Sequence, residues 1–138
     1  MPFIDTTKLE VVEKGIGWRG RLFHSPSMTV GHWEFDDGAS VHEHAHAQEE
    51  VWEILSGELE VTIDGVTQIA LPGVVAIIPA NVVHSVKALR AGKAIVIDYP
   101  LRLDFCSAKA KASEAGPSPG HTFASIIRFI GVWAARRK

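Results

Sequence analysis

Three histidines, His42, His44 and His46, occupy alternate positions in the run between Gly38 and Gly57, and Glu49, Glu50 and Glu53 follow closely behind. Imidazoles and carboxylates at this density suit a divalent metal, and strand geometry gives the spacing a meaning. Successive side chains of a strand point to opposite faces, so the three rings are expected to project to one side, where two neighbours can share an ion. A bend over residues 47–49 then leads into a strand with Glu50, Trp52 and Ile54 on one face and Glu49, Val51, Glu53 and Leu55 on the other. The first set is apolar apart from Glu50 and is taken as inward. A carboxylate facing a core needs a partner, and a metal would supply it.

The elements that must hold these residues are short strands. Arg21–His24 and Met28–Phe35 precede the histidines, with Trp33 and Phe35 on one face and Met28, Val30 and His32 on the other. Beyond them, 50–55 and 58–63 alternate as two strands joined at Ser56-Gly57, and Asp64-Gly65 is a favoured hairpin turn. Strands are expected at 66–71, at 74–78 as a buried apolar run, at 82–89 with His84 inward, and at 94–99 after a turn over 90–93. This rhythm, with no helical period before residue 105, predicts an all-β sandwich or barrel. Residues 107–121 read as a linker. Phe123, Ile126, Ile127, Ile130 and Trp133 recur at helical spacing, so 122–138 is expected to form a short amphipathic helix.

A chain of 138 residues with 46% hydrophobic and 22% charged residues fits one globular domain. Residues 1–106 hold 8 Lys+Arg against 15 Asp+Glu, or −7, and 107–138 hold 6 against 1, or +5. The acidic body is a poor surface for nucleic acid, which wants clustered cations. The lone Cys106 has no partner for an internal disulfide. Met1–Glu10 lacks a basic start followed by an apolar run, and no stretch has membrane-spanning length, so a cytoplasmic location is the expectation.

Gly38, five residues, His44, one, His46, three, Glu50, six, Gly57 resembles the first motif of the cupins at every fixed position. Gly73, five residues, Pro79, one, Asn81, two, His84 resembles the second, with Asn81 in place of a usual glycine and Ala88 where Asn is common. The resemblance covers residues 28–100. It implies a double-stranded β-helix, or jelly-roll barrel, binding one divalent metal through His44, His46, Glu50 and His84. Such a set suits Mn, Fe, Ni or Co, with Zn or Cu as options, and leaves room for a water or a bidentate ligand. The rival register, His42 and His44 with Glu49, loses both framing glycines. Residues 98–105 look like the closing segment of many small cupins, some similar to enzymes that open unsaturated uronate sugars.

Two functions follow as expectations. In the first, the chain is a metalloenzyme of dioxygenase, isomerase or lyase type acting on a small oxygenated substrate. His42 and Asp98 are then candidate catalytic groups, and His32, Trp52 and Arg102 candidate substrate contacts, although Trp52 equally suits a core and Arg102 a structural ion pair. In the second, the chain is a ligand-binding or sensing module without turnover. A small-molecule ligand, no nucleic acid, no membrane span and a homodimer are expected in either case.

Overall fold

The computed structural model describes residues 3–105, and the expected linker and C-terminal helix lie outside the described residues. A 3-10 turn at Thr6–Lys8, capped by Asp5, precedes eight strands: β1 Val12–Glu13, β2 Trp18–His24, β3 Thr29–Phe35, β4 Ser40–His44, β5 Glu49–Ile63, β6 Val66–Ala70, β7 Val75–Ile78 and β8 His84–Tyr99. A second 3-10 turn, Leu103–Phe105, follows them. All pairings are antiparallel.

The long strands β5 and β8 carry the architecture. They pair with each other from Glu49↔Tyr99 to Ile63↔His84 and crease together between Ile54 and Leu59. On one side of the crease the ladder runs β1-β2-β3-β8-β5-β7; on the other it runs β4-β8-β5-β6. Although Glu50 and His84 lie at opposite ends of this ribbon, their side chains stand 3.6 Å apart. The two halves therefore face each other across a core, which is the jelly-roll arrangement expected.

Local chemistry explains the crease. Inward residues of β5 are Glu50, Trp52 and Ile54 before it and Leu59 and Val61 after it, so the alternation slips by one, as a bulge requires. Gly57 takes φ 80°, and a Cβ there would meet the Ala91 and Arg90 carbonyls at 2.6 and 2.7 Å. A Cβ on Gly92 would reach the Gly57 Cα at 2.6 Å and strike the Ser56 carbonyl. The turn-forming residues at 56–57 and 90–93 thus bend two continuous strands; they do not end them, as the sequence had suggested.

The core is filled from both halves by Trp18, Phe35, Trp52, Ile54, Leu59, Val61, Ile78, Val86, Ala88 and Val96, among others. Trp18 stacks tilted on Phe35 and edge-on to Trp52, with centroids 5.1 and 5.7 Å away. The run 74–78 departs from expectation. Only Ile78 of β7 is buried, because β7 is an edge strand with β5 as its sole partner among the described residues.

Candidate metal centre

Strand β4 delivers the first histidine. Val41 pairs with Val86 and His44 with His84, so three steps on β4 oppose two on β8. This bulge breaks the alternation that would have placed His42 beside His44. His44 is half-buried against His84, while the His42 ring is exposed and the residue contributes its carbonyl, which accepts from His44 Nδ1 at 2.7 Å. His46 follows β4. Its Nδ1 donates to the Gln48 carbonyl at 3.0 Å, and its own carbonyl accepts from the Asn81 N–H at 2.8 Å. Asn81 holds φ 62°, the left-handed conformation that makes it a workable substitute for glycine. His84, 1% exposed at the start of β8, donates through Nδ1 to the Val82 carbonyl at 2.9 Å.

These three bonds settle the tautomers. A carbonyl oxygen only accepts, so each Nδ1 carries hydrogen and each Nε2 is the ring atom with a lone pair to offer, the arrangement that metal-binding imidazoles adopt. The ligand atoms of His44, His46 and His84 lie within 4.8 Å of one another. Nε2 of His46 and of His84 are buried without a hydrogen-bond partner among the described residues. Glu50 is near both: Oε2 is 3.3 Å from His46 Nε2 and Oε1 is 3.6 Å from His84 Nε2, without hydrogen-bond geometry. Orphaned, buried lone pairs converging beside a buried carboxylate are what a divalent ion satisfies, so the residues fit the metal that the motifs imply.

Behind the cluster lies an acid network. Glu50 Oε1 accepts from the Trp52 indole N–H, and Oε2 accepts from Arg102 Nη1 at 2.8 Å. Asp98 faces Glu50 across the β5–β8 ladder and accepts from the same Nη1 at 3.3 Å. Arg102 Nε donates to Asp104 at 3.2 Å, and the Arg102 backbone N–H to Thr29 Oγ1 at 2.9 Å. Gln48 Nε2 ties down the same segment through the Leu101 carbonyl at 3.1 Å.

The charges divide accordingly. Burial works against ionised Glu50, but the polar groups around it, the Asp98 carboxyl and the Trp52 indole among them, outweigh it and hold Glu50 well below the usual carboxylate range. Burial, reinforced by the Glu50 charge, pushes Asp98 up to about 8 despite Arg102. Burial likewise lowers His44 to about 4, against the pull of the His42 carbonyl.

The structure thus brings together His44, His46, Glu50 and His84, with Asp98 and Arg102 directly behind them. It does not bring in His42 or His32; the latter lies exposed on β3, edge-on to Phe23. Trp52 supports Glu50 from the core and Arg102 is held in ion pairs, so both touch the site through Glu50. Thr29 and Gln48 were missed. For Thr29 a signal existed, a hydroxyl on the inward face of a strand; for Gln48, whose partner is a distant backbone carbonyl, there was none.

Comparison with known proteins agrees with this fold. No curated protein matches the sequence significantly. Similar solved structures include an RmlC-like cupin from Shewanella frigidimarina NCIMB 400 (26% identity, TM-score 0.71, covering 76% of this chain and 96% of that one). KdgF from a Halomonas species (21%, 0.69, 75% and 97%) and an oxalate decarboxylase variant from Bacillus subtilis (17%, 0.64, 70% and 29%) share the fold. The Cupin_2 model, described as a cupin domain, matches residues 31–99, which takes in every residue of the cluster, and the chain belongs to the cupin family.

Proposed function

We propose that this cupin is a metalloenzyme acting on a small oxygenated substrate, with one divalent transition metal held by His44, His46, His84 and Glu50. The observation that supports it is the convergence of three Nε2 atoms whose Nδ1 partners already fix the rings, two of them buried and unpaired. A bound metal would supply Lewis-acid polarisation of a ligand oxygen, or redox chemistry if it is Mn or Fe. The chain's own residues do the rest. Glu50 brings the one negative charge the ion needs, oriented by Arg102 and Trp52. Asp98, buried directly behind Glu50 with its carboxyl pushed up to about 8, is the candidate acid of the site. Arg102 holds Asp98 and Glu50 in fixed relation, a positioning role. Isomerase or lyase chemistry uses Asp98 in this way; a dioxygenase would not require it. The named neighbours include an oxalate decarboxylase, which favours turnover over mere ligand retention. A cytoplasmic homodimer is part of the same proposal.

The test is elemental analysis of protein purified without a metal-binding tag, beside His84→Ala. Near-stoichiometric metal in the wild type and its loss in the variant are expected. A wild type that is metal-free and takes up no added Mn, Fe, Ni, Co or Zn overturns the reading.

A further inference from the structure

The two half-sheets turn different outer faces to their surroundings. In β4-β8-β5-β6 the outward register lines are polar: Ser85, Thr62 and Thr67 form one, and Lys87, Glu60 and Ile69 the next. In the other half, the pairings Phe23↔Val30, Val30↔Ile97, Ile97↔Val51 and Val51↔Ile77 set an unbroken apolar row across five strands. Its members alternate along their strands with the buried residues Thr29, Val96, Trp52 and Ile78, so the row lies outside the core, and Ile77 is 61% exposed. An antiparallel sheet with one face in water carries polar side chains there, as the first half-sheet does and this row does not.

β8 is the middle of the five strands β2, β3, β8, β5 and β7, and its own outward residues Tyr99, Ile97 and Ile95 run across the row. The result is an apolar cross centred on Ile97. Charge is divided about it by side. In the register line next to the row, Arg21 and His32 lie on the β2–β3 side of Ile95, and Glu53 on the β5 side. A two-fold axis parallel to β8 exchanges these sides. It sets Ile97 against the partner's Ile97, Val30 against the partner's Val51, Phe23 against the partner's Ile77, and His32 against the partner's Glu53. Lys93, on the axis at the rim, is already paired with Glu34 at 3.4 Å within its own subunit. Five strands, with the seven residues of β3 as the depth, make a face of roughly 24 by 23 Å. With side-chain relief this approaches the roughly 800 Å² per partner of a standard interface.

We propose that this face is the two-fold interface between two copies of the chain, with β8 on the axis. The proposal rests on the homodimer reading above and gives it a surface; it does not depend on the metal. A partner of unrelated sequence would not call for charges divided about β8 in this self-complementary way. Because Val51 follows Glu50 and Ile97 precedes Asp98, the same contact backs the strand segments that carry the buried carboxylates.

Sedimentation equilibrium of the full chain tests this. The wild type should be a dimer at micromolar concentration. Ile77→Glu, at an exposed position on an edge strand, should weaken association at least about a hundredfold, since symmetry counts the loss twice. Glu53→Lys should weaken it at least about tenfold by opposing like charges. Adding His32→Glu to Glu53→Lys should restore association to within about threefold of wild type. That rescue, with far-ultraviolet circular dichroism unchanged in every variant, guards against a folding defect. A monomeric wild type overturns the homodimer and the face together and leaves the face to an unlike partner. A dimer that Ile77→Glu and Glu53→Lys leave intact overturns the face alone. A dimer weakened by Glu53→Lys and not rescued by His32→Glu overturns the axis along β8.

Discussion

Arg102 sets its guanidinium between Glu50 and Asp98, and all three side chains are almost wholly buried. Removing the cation strands ionised Glu50 in the core, so Arg102→Met should destabilise the protein by about 3–5 kcal/mol in urea unfolding. Combining it with Glu50→Gln should recover much of that loss, because the double variant leaves no unpaired charge; additive losses would mean the pair is not coupled. The titrations have opposite signs. His44 is lowered, so between about pH 4 and 6.5 the unfolded chain binds a proton that the folded one does not, and stability rises with pH across that window. Asp98 is raised, so the folded chain keeps a proton that the unfolded one has lost, and its contribution falls as pH climbs from about 4 to about 8. In metal-free protein, Asp98→Asn should therefore gain on the wild type as pH rises through this range, by up to roughly 1.4 kcal/mol per pH unit. A difference that is constant with pH would show Asp98 already ionised.

At the scale of elements, the crease is where the sequence is least tolerant. Gly92→Ala drives a methyl into the Ser56 carbonyl and the Gly57 Cα, backbone atoms that cannot swing aside. It should cost at least about 3 kcal/mol, comparable to severe overpacking. Gly73→Ala, at φ 88° but with open space around the added carbon, should cost only about 1–2 kcal/mol, the penalty of the left-handed conformation alone. Thermal melts of the two variants separate these cases. The same elements show what could be read in advance. Inward parity was legible wherever one face is buried, as for Glu50, Trp52, Ile54 and His84, and Asp64-Gly65 marked a true hairpin. The β4 bulge was not, because it depends on how residues 41–44 register against 84–86, a pairing between segments far apart in sequence. Nor was the continuity of β5 and β8, since Ser56-Gly57 and 90–93 have turn chemistry and only the facing strand decides between a bend and a reversal. The candidate ligand set was read from motif spacing; the Arg102–Glu50 contact needed the folded closing segment to appear.

Across the whole chain, −7 on residues 1–106 and +5 on 107–138 make the net −2 a poor guide to behaviour. Metal should stabilise the folded body by mass action, about 2.7 kcal/mol at one hundred times the dissociation constant, and raise the melting temperature by several degrees. His84→Ala should show no such rise. The crease adds a mechanical consequence. Backbone contact at Gly57 and Gly92 fixes the spacing of the two half-sheets at one end, and an ion joining Glu50 of one half to His84 of the other would fix it at the opposite end. Between two such fixed points the two half-sheets would resist parting.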